Sequence, residues 1–171
     1  VNDRRDTVAD AALPRVRDVL ALPALAVGLP RVDAGSRGLD GPVRWVHVSE
    51  LADIAGLLTG GELILTTGIA LPTTDVDLRG YADTLAAAGA AGLVVELGRR
   101  FTELPRALVR GCNVHDLPLV SLHRELRFVK VTQAVHSLIV EEQISALRAS
   151  ESAHRVFTRL CVEGASAASI V

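Results

Sequence analysis

An α/β fold, with a largely parallel or mixed sheet flanked by helices, follows from three features of this 171-residue chain. Short apolar runs of strand length alternate with helical patterns at the spacing of βαβ crossovers. Hydrophobic residues make up 49% of the chain and aromatic residues only 3%, so the core is built of Leu, Val, Ile and Ala, which suits helices on a sheet better than an aromatic-rich sandwich. The stretch from Arg127 to about Glu163 holds no proline and is helical in pattern throughout.

Residues 1–13 are charged and Ala-rich and read as a flexible lead-in. Pro14 can start a helix, and Val16, Val19 and Leu20 give it one apolar face through Leu22. Pro23 and Pro30 bracket a second short piece. The period then changes to two. Arg31 to Ala34 and Val43 to Val48, joined by a glycine-rich connection from Gly35 to Pro42, predict a β-hairpin near the N-terminus. In its second strand Trp45 and His47 share one face, Val46 and Val48 the other. Ser49 caps a short helical stretch with Glu50 in its first turn, ended by Gly60-Gly61. Glu62 to Gly68 is a buried strand stopping at a glycine, and Asp75 to Ala91 is a helix with Leu78, Tyr81, Ala82 and Leu85 on one stripe. Gly92 to Leu97 is the next strand and Pro105 to Val109 a short helix closed by Gly111. Leu117 to Leu122 is the last strand.

The final helical pattern, about 36 residues, would span roughly 54 Å at the standard rise. That is too long to lie wholly on a domain this small, so part of it projects and pairs with a copy of itself. Val131, Val135 and Leu138, then Ala149, Val156 and Leu160, form the expected dimerisation seam, which slips near Glu142 as a stutter would make it. The expected organisation is therefore a lead-in to residue 13, an α/β domain over 14–125, a dimerisation helix over 126–163 and a truncated linker over 164–171.

Eighteen basic and twenty acidic residues leave a formal charge of −2. The segment from His123 to Val171 has six basic and five acidic residues, so no basic face for nucleic acid is present. The scarcity of aromatics also argues against base-stacking modules. Cys112 and Cys161 lie far apart without CxxC spacing, which excludes a zinc ribbon and favours reduced thiols in a cytoplasmic protein. No apolar run reaches the length of a membrane span, and no secretory signal is seen. The chain holds no methionine and reads as a segment of a longer protein.

Val43-Arg44-Trp45-Val46-His47-Val48-Ser49-Glu50-Leu51, Leu58-Thr59-Gly60-Gly61-Glu62-Leu63-Ile64-Leu65-Thr66-Thr67-Gly68 and Gly92-Leu93-Val94-Val95-Glu96-Leu97-Gly98 together resemble the N-terminal domain of PucR-type bacterial transcription regulators. Leu117-Pro118-Leu119, Phe128-x-x-Val131-Thr132 and the long helix fit the same family, over roughly residues 15–163. The resemblance implies an input domain that senses a small molecule and relays it to a C-terminal helix-turn-helix, which is not in these residues. A fainter likeness to the N-terminal domain of Mur ligases concerns only the fold and the position of a pocket. Gly111 to Asp116 departs from the PucR pattern, in which small or apolar residues precede the Leu-Pro.

The richest candidate ligand site is Trp45, His47, Ser49 and Glu50 beside Thr66, Thr67 and Gly68, at strand ends where parallel sheets hold ligands. Trp45 would stack on a planar ligand, His47 and Glu50 would hydrogen-bond it, and the Thr-Thr-Gly turn would offer hydroxyls and N–H groups. The alternative is structural, with Trp45 in the core, His47 satisfied by neighbours, and Ser49 only a cap. Glu96, buried at a strand end, needs a partner, either a ligand or an arginine such as Arg99 or Arg44. Cys112, His115, Asp116 and His123 lack the second pair that a structural zinc site requires and the arrangement of a triad. Gly35 to Gly41 matches no phosphate-binding motif. Glu141, Glu142, Arg148 and Glu151 read as a solvated face with some inter-helix pairing.

The function expected is that of a signal-input and dimerisation module, not an enzyme, without cofactor or metal. Its expected partners are a second copy, an unidentified metabolite (a purine, nitrogen or carboxylate catabolite), and DNA only through a further domain. The alternative is a ligand-free oligomerisation or protein-interaction module.

Overall fold

The computed structural model describes residues 13–162, with the side chains of 157 and 159–162 left out of the description. Residues 1–12 of the lead-in and the terminal linker, together with the side chain of Leu160, lie outside the described residues.

Five strands form one mixed sheet: β1 (Pro30–Ala34), β2 (Trp45–Val48), β3 (Glu62–Thr66), β4 (Gly92–Glu96) and β5 (Leu119–Leu122), in the spatial order β1-β5-β4-β3-β2. The four strands β2 to β5 are parallel and stand in sequence order, and β1 pairs antiparallel with β5. Crossovers of one hand that always step the same way put their helices on one face. Accordingly α3 (Asp75–Ala87) and α4 (Arg106–Val114) pack side by side there, where Leu78, Tyr81, Ala82, Leu85, Leu108 and Cys112 meet Ile64, Leu93, Val95 and Leu119. The opposite face is covered by α1 (Val16–Leu20), α2 (Pro23–Ala26) and the start of α5 (Phe128–Val162). There Val16, Val19, Leu25, Val131, Val135 and Ile139 meet Val46, Leu63, Leu65, Val94, Val120 and Leu122. Strands β3, β4 and β5 are buried on both faces and therefore read as continuous apolar runs.

The expected hairpin is not formed. Its two strands are the two edges of the sheet, with β5, β4 and β3 between them. At the usual strand spacing these edges stand about 19 Å apart, within reach of the ten-residue connection. That connection turns at Gly35, in the left-handed region at φ 63°, and forms a short 3₁₀ turn over Ser36–Asp40. It crosses the lower end of the sheet so closely that a Cβ on Gly38 would lie 2.2 Å from the Asp116 carbonyl oxygen. The glycines thus serve backbone packing rather than a two-strand turn.

Smaller differences have local causes. Residues 49–53 are not helical, and the only regular piece between β2 and β3 is a 3₁₀ turn over Ile54–Leu57. Ser49 Oγ instead accepts the Leu51 N–H at 3.1 Å. Thr74, not Asp75, caps α3, its hydroxyl accepting the Asp77 N–H. Gly111 does not end α4, which continues to Val114, because there the glycine lets α4 approach α3. A bulge between Val32 and Ala34 marks edge strand β1, and Asp33 repairs it by accepting the Ser121 N–H at 3.2 Å and the Ser121 hydroxyl.

The expected dimer seam divides. Val131 and Val135 are fully buried on the chain's own sheet and Leu138 packs beside them, so these residues form core and not an interface between copies. Ala149 and Val156 are exposed on the part of α5 that has left the sheet.

Candidate functional site

The carboxyl ends of β2 and β3 bring Glu50, Thr66, Thr67 and Gly68 together, as their strand positions require. Glu50 accepts the Thr66 hydroxyl at 2.8 Å and the Thr67 N–H at 2.6 Å, and Thr66 Oγ1 in turn accepts the Gly68 N–H at 2.9 Å. Gly68 lies in the left-handed region, and a Cβ there would sit 3.1 Å from the Phe101 ring. The donors that could have met a ligand are thus used in holding the turn after β3. The Thr67 hydroxyl is buried without a hydrogen-bond partner among the described residues.

Trp45 and His47 lie on edge strand β2, paired in register with Glu62 and Ile64. Trp45 is 49% exposed, and its ring stacks on His136 of α5 with centroids 4.1 Å apart. It is therefore not a core residue, and its ring partner lies on α5 rather than in the Glu50 cluster. Glu96 belongs elsewhere. It shares its strand face with Val94, toward α5, whereas Thr66 shares the opposite face with Ile64. Glu96 accepts the Leu126 N–H at 3.1 Å and lies 3.7 Å from Arg99 Nε, so an arginine is among its partners, and the carboxylate ties the start of α5 to the sheet.

The strand order disfavours a crevice at these carboxyl ends. Ligand crevices in open α/β sheets lie where the strand order reverses and adjacent crossovers leave on opposite faces. Here β2, β3, β4 and β5 follow in sequence, with α3 and α4 on one face, so their loops lean the same way.

A concavity of about 470 Å³ lies at the other, amino-terminal end of the sheet. Arg44, Thr59, Gly61, Gly89, His115 and Asp116 are among its lining residues. Its floor is held by Glu62, a buried carboxylate that accepts the Thr59 N–H, the Thr59 hydroxyl and the Gly60 N–H at 2.6–2.8 Å. Burial alone would raise the Glu62 pKa. The bonds from Thr59, Gly60 and its own N–H outweigh that and hold it below its ordinary value. The Arg44 aliphatic stem lies over Gly61, where a Cβ would meet Arg44 Cγ at 2.8 Å. His115 Nε2 lies 2.7 Å from Asp83, and Asp116 is 3.5 Å from Arg37, so both acidic groups near the rim already have a side-chain partner. No sequence motif marks this site. The signal available was the run of glycines preceding strands rather than following them.

Neither the Cys112 thiol nor the Tyr81 phenol is activated by its surroundings. Burial pushes the Cys112 thiol up to about 12, and burial, with Cys112 and Glu50 nearby, pushes the Tyr81 phenol up to about 12. Among the described residues no three His, Cys, Asp or Glu side chains are grouped to hold a metal ion, and no helix is long and apolar enough to cross a membrane.

Comparison with known proteins adds three findings. The family model described as purine catabolism regulatory protein-like matches residues 18–139. A transcriptional activator of Paenarthrobacter nicotinovorans, PmfR, is 28% identical over 120 residues, covering 70% of this chain and 25% of that protein. This chain thus spans about a quarter of the length of that curated relative. Among solved structures, the CBS and DRTGG domains of the regulatory region of a Clostridium perfringens pyrophosphatase match with TM-score 0.45 and 9% identity, over 79% of this chain and 50% of that one. A likeness that distant carries no argument.

Proposed function

Because this chain belongs to the purine catabolism regulatory protein-like family, we propose that it is the signal-input module of a transcription regulator. It takes a small metabolite and passes the event to a DNA-binding domain elsewhere in a longer protein. The observation that carries this reading is the seating of α5. The helix begins at the Glu96 anchor, is clamped to the sheet by Val131, Val135 and Ile139, and then runs on beyond the sheet. Any change in the sheet or its clamps is delivered along a rigid rod of 35 residues.

The effector in this reading occupies the concavity at the amino-terminal strand ends, since the groups at the carboxyl ends bond one another. Arg44 and His115 on its wall favour a carboxylate-bearing or otherwise electron-rich catabolite, with nitrogenous ring compounds included. Arg44 immediately precedes Trp45, whose ring touches α5, so an occupied concavity is one peptide link and one ring contact from the helix. A ligand shifts the helix only if it prefers one seating over another.

Thermal shift of this chain with purine catabolites, amino acids and small carboxylates tests the reading. A stabilising compound is expected, and Arg44→Ala should abolish its effect while His47→Ala leaves it. Loss of the effect with His47→Ala and Glu50→Gln instead would place the effector at the carboxyl ends. Stabilisation by no compound would leave a module that binds only protein.

A further inference from the structure

We propose that two copies of this chain join antiparallel through the outer face of α5, centred on Ile144 and Leu147. This deepens the self-association expected of the module and stands whether or not an effector binds. Val140, Ile144 and Leu147 recur at four and three residues, so they form one stripe. They are 52%, 44% and 61% exposed. Val140 follows Val131 by nine residues and lies about half a turn round the helix from it, so this stripe points away from the chain's own core. Val129 lies on the same line about three turns earlier, and it too is exposed.

The flanking charges choose the occupant and its direction. Glu141 and Arg148 are seven residues apart and hold the same position beside the stripe. When two such helices run antiparallel, with Ile144 of each on Leu147 of the other, Glu141 of each copy comes within two residues, about 3 Å along the axis, of Arg148 of the second on the same side of the seam. That gives two reciprocal ion pairs from one chain sequence, as a two-fold interface requires. A parallel pairing in register sets Arg148 against Gln143 and Glu141 against His136, with no such pair of opposite formal charges. The antiparallel run also returns the second helix along Val129 and past the half-exposed Trp45, lengthening the covered surface.

Sedimentation equilibrium of the 171-residue chain is the test. A dimer is expected, and Ile144→Asp with Leu147→Asp should make it monomeric without changing the melting of the monomer fold. Glu141→Arg should weaken dimerisation by about tenfold, since it turns two attractive pairs into repulsive ones. Adding Arg148→Glu to that variant should restore it. A monomeric wild-type chain, or a dimer indifferent to the two Asp substitutions, overturns the interface. A dimer lost to them but not rescued by the double reversal overturns the antiparallel direction. None of these outcomes depends on effector binding, so they separate this proposal from the sensor reading.

Discussion

The rings of Trp45 and His136 stack with centroids 4.1 Å apart and planes inclined by 31°. This contact joins the edge strand of the sheet to the long helix just where the helix leaves its apolar seat, between Val135 and Ile139. Trp45 is also the sole tryptophan of the chain, so its fluorescence reports directly on the position of α5. His136→Ala removes one ring and opens the other to water. The emission of Trp45 should move to the red and iodide quenching should increase, with a stability loss of about 0.5–1 kcal/mol, as expected for a half-exposed aromatic pair. An unchanged spectrum would show that the helix is positioned without this contact.

Glu62 sets an acid limit to stability. Its folded pKa lies below its unfolded value, so the stabilisation it gives is complete above the unfolded value near 4.5 and is lost as pH falls through the folded one. Glu62→Gln keeps the shape but offers one acceptor oxygen and an unwanted NH₂ to three donors. It should cost about 1–3 kcal/mol at neutral pH. Measured by thermal melting between neutral pH and pH 3, the wild type should lose stability more steeply than the variant, and the two curves should converge at the acid end. Parallel curves would remove Glu62 from the account.

The strands and helices of the parallel part were legible because burial on both faces writes itself as unbroken apolar runs, as in Leu63-Ile64-Leu65 and Leu93-Val94-Val95. The edges were not legible. Alternation in Val43 to Val48 tells that one side of a strand is covered, but not which strand lies next to it, and β1 and β2 went to opposite edges. The dimer seam misled for a related reason. A period of three and four marks an apolar helix face without saying whether sheet or second helix covers it, and the sheet covers Val131 and Val135. In the candidate site the grouping of Glu50 with Thr66 and Thr67 could be expected from strand ends. That Glu50 would be bonded by Thr66 and Thr67 needed coordinates. The concavity beside Arg44 is formed by backbone segments distant in sequence, and no short motif encodes such a meeting.

Gly111 gives a stringent test of how α3 and α4 are packed. A Cβ at this position would lie 2.8 Å from Ala82 Cβ, well inside contact distance, while the Arg79 backbone lies at ordinary separation. Gly111→Ala gains helix propensity, about 1 kcal/mol in an exposed helix, yet forces two methyl groups into one space at about 1–3 kcal/mol. The overlap should prevail, and the single substitution should lower stability by up to about 2 kcal/mol. In a chain that already carries Ala82→Gly the space is free, so the same substitution should stabilise. The sign of its effect therefore reverses with the background, which only direct contact between the two positions can produce. Urea unfolding of the four chains in this cycle measures the coupling. Additive effects would mean that the helices part to accept the methyl group, and that the groove walled by Val76 and Val114 is wider in solution than it stands here.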